Sequence, residues 1–276
     1  MIKNLSSYEI EVAEYFTDKA EGYDDVENQR YWQLSDKLLW DLIKNQLDKH
    51  EGGLTILDAG GGTGRWSKKI LDNYSNAKVF TVDLSKEMLN QAERKNSFGE
   101  RWQINRGDIQ NLDFESEMFD FVINTHNVLG FVENSQKAIT EMSRVLKKDG
   151  LLISVVPNKY HAIFFNLFLS NINGANNILR TGRGKFVDNM PEMDMFSSKK
   201  MKEMYSNAGL HDSFCWGFPI SIYPGYQETQ LYGETEQVKN ALDNLEEIYE
   251  LEKKLIKNEE VAARGNNLFV VGKKGY

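Results

Sequence analysis

The spacing of hydrophobic residues predicts two helices at the start of the chain. Residues 7–20 and 31–49 both carry apolar residues at helical intervals. In the second segment, the apolar residues near one face are Leu34, Leu38, Leu42 and Leu47. The glycine pair at 52–53 ends this segment, because glycine disfavours helix continuation.

Beyond residue 53, short apolar runs alternate with helical patterns. The runs at 54–59, 78–84, 102–105, 119–124 and 151–156 predict strands, and the segments at 65–74, 86–95 and 134–147 predict helices. Strands that alternate with helices form parallel βαβ units. Runs without polar alternation fit strands that are covered on both faces. The pattern therefore predicts an open α/β sheet.

Two long segments, at 158–195 and 219–265, interrupt this alternation and predict cap insertions beside the sheet. A helix at 198–208 and a strand at 211–218 follow the first segment, while a long helix at 235–257 and a closing strand at 267–272 complete the chain. We expect a helical leader or cap at 1–53, an α/β core at 54–157, a first insertion at 158–195, a core continuation at 196–218, a second insertion at 219–265 and a final strand at 266–276. Insertions of this length are often lids over a substrate.

Composition and charge narrow the class of protein. The chain has 276 residues, and its 41 acidic and 33 basic residues give a formal charge of −8. This charge argues against broad attraction to a polyanion. The single cysteine, Cys215, excludes an internal disulfide, and the histidines show no metal-ligand spacing. No window approaches the ~20 apolar residues of a membrane span. We therefore expect a cytoplasmic protein with no membrane association and no metal site.

A glycine-rich turn follows the first predicted strand. The segment Asp58-Ala59-Gly60-Gly61-Gly62-Thr63-Gly64 lies between a strand end and a helix start. Such a turn lets the backbone approach a nucleotide-like cofactor closely. A dinucleotide-binding G-x-G-x-x-G turn does not fit, because counting from Gly60 puts Arg65 at the third glycine. A P-loop is excluded because no Gly-Lys-Ser/Thr follows.

The turn resembles the D/E-x-G-x-G-x-G signature of class I S-adenosylmethionine (SAM)-dependent methyltransferases. Three further features match that family in order: an acidic residue at the end of the next strand, Asp83; a polar pair after the third strand, Gly107-Asp108; and the fourth strand at 119–124. The resemblance implies a Rossmann-like class I methyltransferase fold with a seven-stranded, mostly parallel sheet and helical cap insertions. It also implies that the cofactor is SAM.

The same resemblance implies which residues bind the cofactor. Asp83 would accept the ribose hydroxyls, and Asp108 would bind the adenine amino group. In the leader segment, Tyr23 would close over the cofactor and Arg30 would pair with its methionine carboxylate. The full predicted set is Tyr23, Arg30, Asp58, Gly60, Gly62, Gly64, Asp83, Leu84, Met88, Asp108, Ile109, Asn124 and Thr125.

Candidate residues for the reaction follow the fourth strand. His126 is the histidine at that strand end, which makes it the candidate general base. Methyl transfer is a direct displacement, so the protein mainly positions the reactants and removes a proton where the nucleophile carries one. The aromatic residues that could line a substrate pocket, or pack the cores of the insertions instead, are Phe164, Phe165, Phe168, Trp216, Phe218 and Tyr223.

Several segments also resemble one branch of this superfamily, the tRNA 5-carboxymethoxyuridine methyltransferases. The similar segments are residues 58–62, His126-x-Val128-Leu129, residues 151–158 and residues 245–274. Enzymes of this kind esterify an ionised carboxylate, so His126 would orient the acceptor, and Arg180, Arg183 and Lys185 would contact phosphates. Three basic residues are few for binding tRNA, and the formal charge of the chain is −8. Both observations favour a small-molecule acceptor, methylated on oxygen or nitrogen.

Three other functions stand beside the small-molecule methyltransferase. The first is methylation of tRNA, and the second is SAM binding without catalysis. The third, a nicotinamide oxidoreductase, is disfavoured because the dinucleotide pattern fails.

Overall fold

The main sheet has the predicted number of strands and the predicted, mostly parallel arrangement. The structure is a computed structural model, and it describes residues 5–222 and 244–275. The strands are β1 (Leu54–Ala59), β2 (Ala77–Asp83), β3 (Trp102–Arg106), β4 (Phe119–Asn124), β5 (Leu146–Pro157), β6 (Arg183–Gly184), β7 (Met193–Asp194), β8 (Leu210–Phe218) and β9 (Asn267–Lys274). Seven of them form one sheet in the order β3-β2-β1-β4-β5-β9-β8, with β9 antiparallel to both neighbours. The prediction of a seven-stranded, mostly parallel sheet is confirmed.

Helices cover both faces of this sheet. They are α1 (Ser7–Lys19), α2 (Arg30–Leu47), α3 (Arg65–Asn73), α4 (Lys86–Lys95), α5 (Ser135–Val145), α6 (Lys159–Phe168), α7 (Ile172–Thr181), α8 (Ser198–Asn207) and α9 (Leu245–Leu255). The long helix predicted at 235–257 is present over α9, and its first part lies outside the described residues. Helix α5 ends two residues earlier than predicted, because Leu146 already pairs with Phe119 in the sheet.

The strands are apolar because both of their faces are buried. Ile56 packs into the hydrophobic cluster that contains α2 and α3, whereas its neighbour Leu57 packs into the cluster that contains α5 and α8. Phe121 and Val122 divide in the same way. Side chains of successive strand residues point to opposite faces, so a sheet with two covered faces needs continuous apolar runs.

A third hydrophobic cluster joins the N-terminal leader to the first insertion. Val12 of α1 packs with Ala162 of α6 and Ile178 of α7. Tyr8 adds a hydrogen bond, because its hydroxyl donates to the carbonyl oxygen of Glu192 at 2.6 Å. The leader and the insertion therefore form one cap beside the carboxyl ends of the strands. Within the described ranges, no helix is both long and apolar enough to span a bilayer.

Candidate functional site

The glycine turn has the backbone conformation that its sequence predicted. Gly60, Gly62 and Gly64 all have positive φ angles, of 78°, 53° and 72°. A Cβ atom on Gly60 would collide with Val128, and one on Gly64 would collide with Trp102. A Cβ atom on Gly62 would instead lie 3.4 Å from Cε of Met88 and 3.9 Å from Oδ2 of Asp83, at the wall of a cavity.

Asp83 holds this turn against the start of the next helix. Its Oδ2 accepts a hydrogen bond from the Gly62 N–H at 2.9 Å, and its Oδ1 accepts one from the Ser85 N–H at 2.9 Å. Burial raises the pKa of the Asp83 carboxyl, and these backbone donors oppose the rise. Each carboxylate oxygen can accept more than one hydrogen bond, so the Asp83 carboxylate retains the capacity to accept ligand hydroxyls.

Three of the predicted cofactor residues stabilise the turn without lining the cavity. Asp58 is 1% exposed and accepts a hydrogen bond from Ser67 Oγ at 2.6 Å. Asn124 donates from Nδ2 to the carbonyl oxygen of Ala59 at 2.6 Å, and Gly64 is the left-handed N-cap of α3. None of the three is among the residues that line the cavity. In this structure, they shape the site without facing it.

The cavity lies between the turn, the ends of β2 and β4, and the cap. Its lining residues are Glu9, Val12, Phe16, Tyr23, Gly60, Gly61, Gly62, Thr63, Arg65, Trp66, Asp83, Leu84, Met88, Gly107, Asp108, Ile109, Gln110, Thr125, His126, Val128, Phe131 and Val132. Most of the predicted cofactor residues are in this set. Arg30 is not, because it is exposed at the first position of α2.

One half of the cavity combines apolar walls with acidic and amide groups. Leu84, Met88 and Ile109 provide apolar surface that suits a flat base. Gln110 donates from Nε2 to Glu9 Oε1 at 3.0 Å, so α1 forms a wall of this half of the cavity. Sequence reasoning missed Glu9 and Gln110, because 101 residues separate the two partners and neither belongs to a motif.

The other half is built around His126, which has a φ angle of 52°. Its Nε2 accepts a hydrogen bond from Trp66 Nε1 at 2.6 Å and lies 3.5 Å from Arg65 Nη2. Burial, and secondarily the Arg65 charge, lowers the pKa of His126 to about 3. A general base works best with a pKa near the working pH. A neutral imidazole with an engaged Nε2 is therefore better suited to orienting a ligand than to removing a proton.

Aromatic residues of the leader close the second half of the cavity. Phe16 packs edge-to-face on Phe131 at a centroid distance of 5.2 Å and contacts Tyr23 at 6.3 Å. Burial raises the pKa of Tyr23 to about 12, so its hydroxyl stays protonated. The neighbouring Asp24 accepts a hydrogen bond from Thr63 Oγ1 at 2.7 Å, which ties the leader to the glycine turn.

The aromatic residues of the insertions do not line this cavity where the structure describes them. Phe164 and Phe168 are 48% and 39% exposed on α6. Phe165 packs inward against Phe186 at 5.7 Å. Phe218 is buried in the core, and Trp216 packs against the same cluster. Tyr223 lies outside the described residues. For the described residues, core packing or surface position replaces the predicted pocket role.

Asp58 gives the turn a pH-dependent stability. Burial raises the pKa of Asp58 to about 7. The pKa of Asp58 is higher in the folded protein than in the unfolded chain, where it is near 4. Its contribution to the free energy of unfolding is therefore fully present below about pH 4 and is lost as the pH rises through about 7. Thermal unfolding should show that the Tm of Asp58→Asn, relative to that of the wild type, rises by about 5 °C from pH 4 to pH 8. A Tm difference that stays constant with pH would contradict this assignment.

Comparisons with known proteins show sequence similarity to methyltransferases. A family model described as a methyltransferase domain matches residues 56–150. An uncharacterized protein of Methanocaldococcus jannaschii is 25% identical, over 77% of this chain and 81% of the relative. A malonyl-[acyl-carrier protein] O-methyltransferase of Halalkalibacterium halodurans is 28% identical, over 51% of this chain and 53% of the relative. The aligned part thus spans about half the length of that second relative.

A solved structure shows the same fold over the whole chain. Phosphoethanolamine N-methyltransferase 2 of Haemonchus contortus, solved in complex with SAM, superposes with a TM-score of 0.62 at 15% identity. The match covers 100% of this chain and 62% of that protein. At this identity, the likeness concerns the fold.

Proposed function

The chain carries a class I SAM-dependent methyltransferase domain, and from this premise we propose that it transfers the methyl group of SAM to an oxygen or nitrogen atom of a small-molecule acceptor. The observation that carries this proposal is the capped cavity, in which the glycine turn and Asp83 form one wall and the leader helix another. The whole chain, including the cap and the insertions, would then serve one reaction.

The residues of the cavity fit SAM. Gly62 borders the cavity with no side chain of its own, and Asp83 presents a carboxylate beside it. Ligands of open α/β sheets bind at the carboxyl ends of the strands, where this turn lies. Asp83 would hold the ribose, Asp108 and Ile109 the adenine, and Thr125 would lie towards the methionine end. When bound, SAM supplies a methyl group on a positively charged sulfur, which is already an excellent leaving group.

The residues around the second half of the cavity position an acceptor and exclude water. Phe16 and Phe131 form an apolar wall, and Tyr23 and the neutral His126 offer polar contacts. Among the described lining residues, the carboxylates are Glu9, Asp83 and Asp108, which belong to the turn or to the Gln110 half. This arrangement supports catalysis by positioning, which is effective because the reaction is a direct displacement.

The charges of the cap support a small acceptor over tRNA. Arg183 lies 3.7 Å from Glu192 and 3.5 Å from Asp194, and its guanidinium stacks over the Tyr8 ring at 5.5 Å. It therefore contributes to the cap itself. Arg180 and Lys185 are exposed, and they favour tRNA as the second candidate acceptor. The alternative of another class, a SAM-binding protein without catalysis, would bind SAM and methylate no acceptor.

Removing the two exposed charges separates the two acceptor classes. Arg180→Gln/Lys185→Gln should leave SAM binding and small-molecule methylation within about twofold of the wild type. For a tRNA enzyme, the same change should weaken tRNA binding and reduce the slope of log affinity against log salt concentration by roughly 0.9 for each lost contact on paired tRNA. Filter binding and radiolabelled methyl transfer measure both effects.

A matched variant controls for the change in net charge. Lys199→Gln/Lys257→Gln removes two other exposed lysines, on α8 and after α9. Methylation of bulk tRNA that is lost in the cap variant and kept in this control would overturn the small-molecule proposal.

A further inference from the structure

The charged side chains of the cavity are distributed unevenly. Glu9, Asp83 and Asp108 are its acidic residues, and Arg65 is the one lysine or arginine among the described residues that line it. The carboxylates lie towards the Gln110 half and the turn. Arg65 lies near His126, in the other half of the cavity. With the ribose at Asp83 and the adenine at Asp108, the methionine end of SAM would extend into this half.

The position of Arg65 is fixed by two other elements. It is the first residue of α3, directly after the left-handed Gly64. Its Nη2 lies 2.5 Å from Oδ2 of Asp36 on α2, and the two side chains are only 12% and 13% exposed. Nη2 also lies 3.5 Å from His126 Nε2. An arginine held in this way presents a pre-oriented guanidinium, which loses little side-chain freedom on binding a ligand.

We propose that Arg65 binds the carboxylate at the methionine end of SAM and that Asp36 is the residue that positions it. The inference rests on the proposed function. A guanidinium has five N–H donors in a planar fork and can bind a second carboxylate while it contacts Asp36. This assigns to Arg65 the role predicted for Arg30, which is exposed and absent from the cavity wall.

Decarboxylated SAM tests the assignment directly, because it differs from SAM by the carboxylate alone. Calorimetric titration of the wild type should show that decarboxylated SAM binds about 10- to 100-fold more weakly than SAM, as expected for a charged hydrogen-bonded pair. Arg65→Gln should bind the two compounds about equally. Arg65→Lys should retain part of the preference for SAM, and Arg30→Gln should retain all of it.

A double variant keeps the test valid if Arg65→Gln alone fails to fold. Arg65→Gln/Asp36→Asn removes both charges and leaves neither buried without its partner. Lys68→Gln is the matched control, since it also removes an ion pair of α3, with Asp72 at 2.7 Å, outside the cavity wall. It should keep the preference for SAM. Asp36→Ala should reduce the preference while Asp36→Glu restores part of it, which is the signature of a positioning residue.

The outcomes distinguish this inference from the proposed function. A wild type that binds neither compound contradicts the proposed function. SAM binding without any preference over decarboxylated SAM, or a preference that persists in the folded double variant, overturns the role of Arg65. A persisting preference together with Arg65-dependent binding of malonate to the complex with S-adenosylhomocysteine would assign Arg65 to an acceptor carboxylate, and it would likewise overturn the cofactor assignment.

Discussion

Gly62→Val is expected to abolish measurable SAM binding, with an affinity loss of about 100-fold or more. A side chain at this position would extend from the turn into the cavity, between Met88 and Asp83. The φ angle of 53° adds a conformational penalty, because L residues disfavour the left-handed region by roughly 1–2 kcal/mol. Isothermal titration calorimetry with SAM measures the loss, and circular dichroism checks that the variant is folded.

Gly99→Val separates the cavity effect from the backbone effect. Gly99 has a similar φ angle of 60°, and a Cβ atom there would meet nothing within 4 Å. The two variants should therefore lose similar conformational stability, while only Gly62→Val loses SAM. A folded Gly62→Val protein with wild-type affinity would show that the cofactor does not lie against this turn.

Asp83→Ala is expected to weaken SAM binding by roughly tenfold or more. The substitution removes the carboxylate that we propose accepts the ribose hydroxyls, and a hydrogen bond to a charged group contributes about 1.5–3 kcal/mol. It also leaves the N–H groups of Gly62 and Ser85 without their carboxylate partner, so the turn itself loses order. Titration with SAM and thermal unfolding in the absence of ligand measure the two effects separately.

Asp83→Asn is the conservative counterpart. It keeps one oxygen acceptor and the side-chain shape but loses the charge, so its affinity for SAM should lie between those of the wild type and Asp83→Ala. Asp72→Ala, which removes an exposed carboxylate on α3, should bind SAM normally. An unchanged dissociation constant in Asp83→Ala would place the ribose elsewhere.

Local sequence was sufficient for the elements of the sheet and for the glycine turn. The apolar runs at 54–59 and 119–124 coincide with β1 and β4, because continuous burial on both faces requires unbroken apolar runs. The turn was recognisable because positive φ angles at Gly60, Gly62 and Gly64 favour glycine over other residues. Asp83 was identified through the resemblance to class I methyltransferases, and the structure brings it to the Gly62 N–H because successive βα units place their strand ends at one edge of the sheet.

Side-chain direction was beyond the sequence, because it depends on how distant helices pack. A helical pattern over α6 does not say which face meets the leader, so Phe164 and Phe168 were indistinguishable from the inward-facing Phe165. The leader contacts the first insertion through Tyr8 and the core through Glu9, whose partners lie 184 and 101 residues away along the chain. No local spacing encodes such contacts.

The packing of distant helices also distinguishes Arg65 from Arg30. Both are first residues of helices. The family resemblance favoured Arg30, and sequence spacing alone does not show which arginine lines the cavity. The packing of α2 against α3 brings Asp36 to Arg65, and the Trp66 N–H engages His126 beside it. The sequence by itself determined the strands of the sheet and the glycine turn, because these depend on local backbone chemistry. Which charged side chains line the cavity was decided only by tertiary packing, because that requires residues from α2, α3 and the loop after β4 to meet in space.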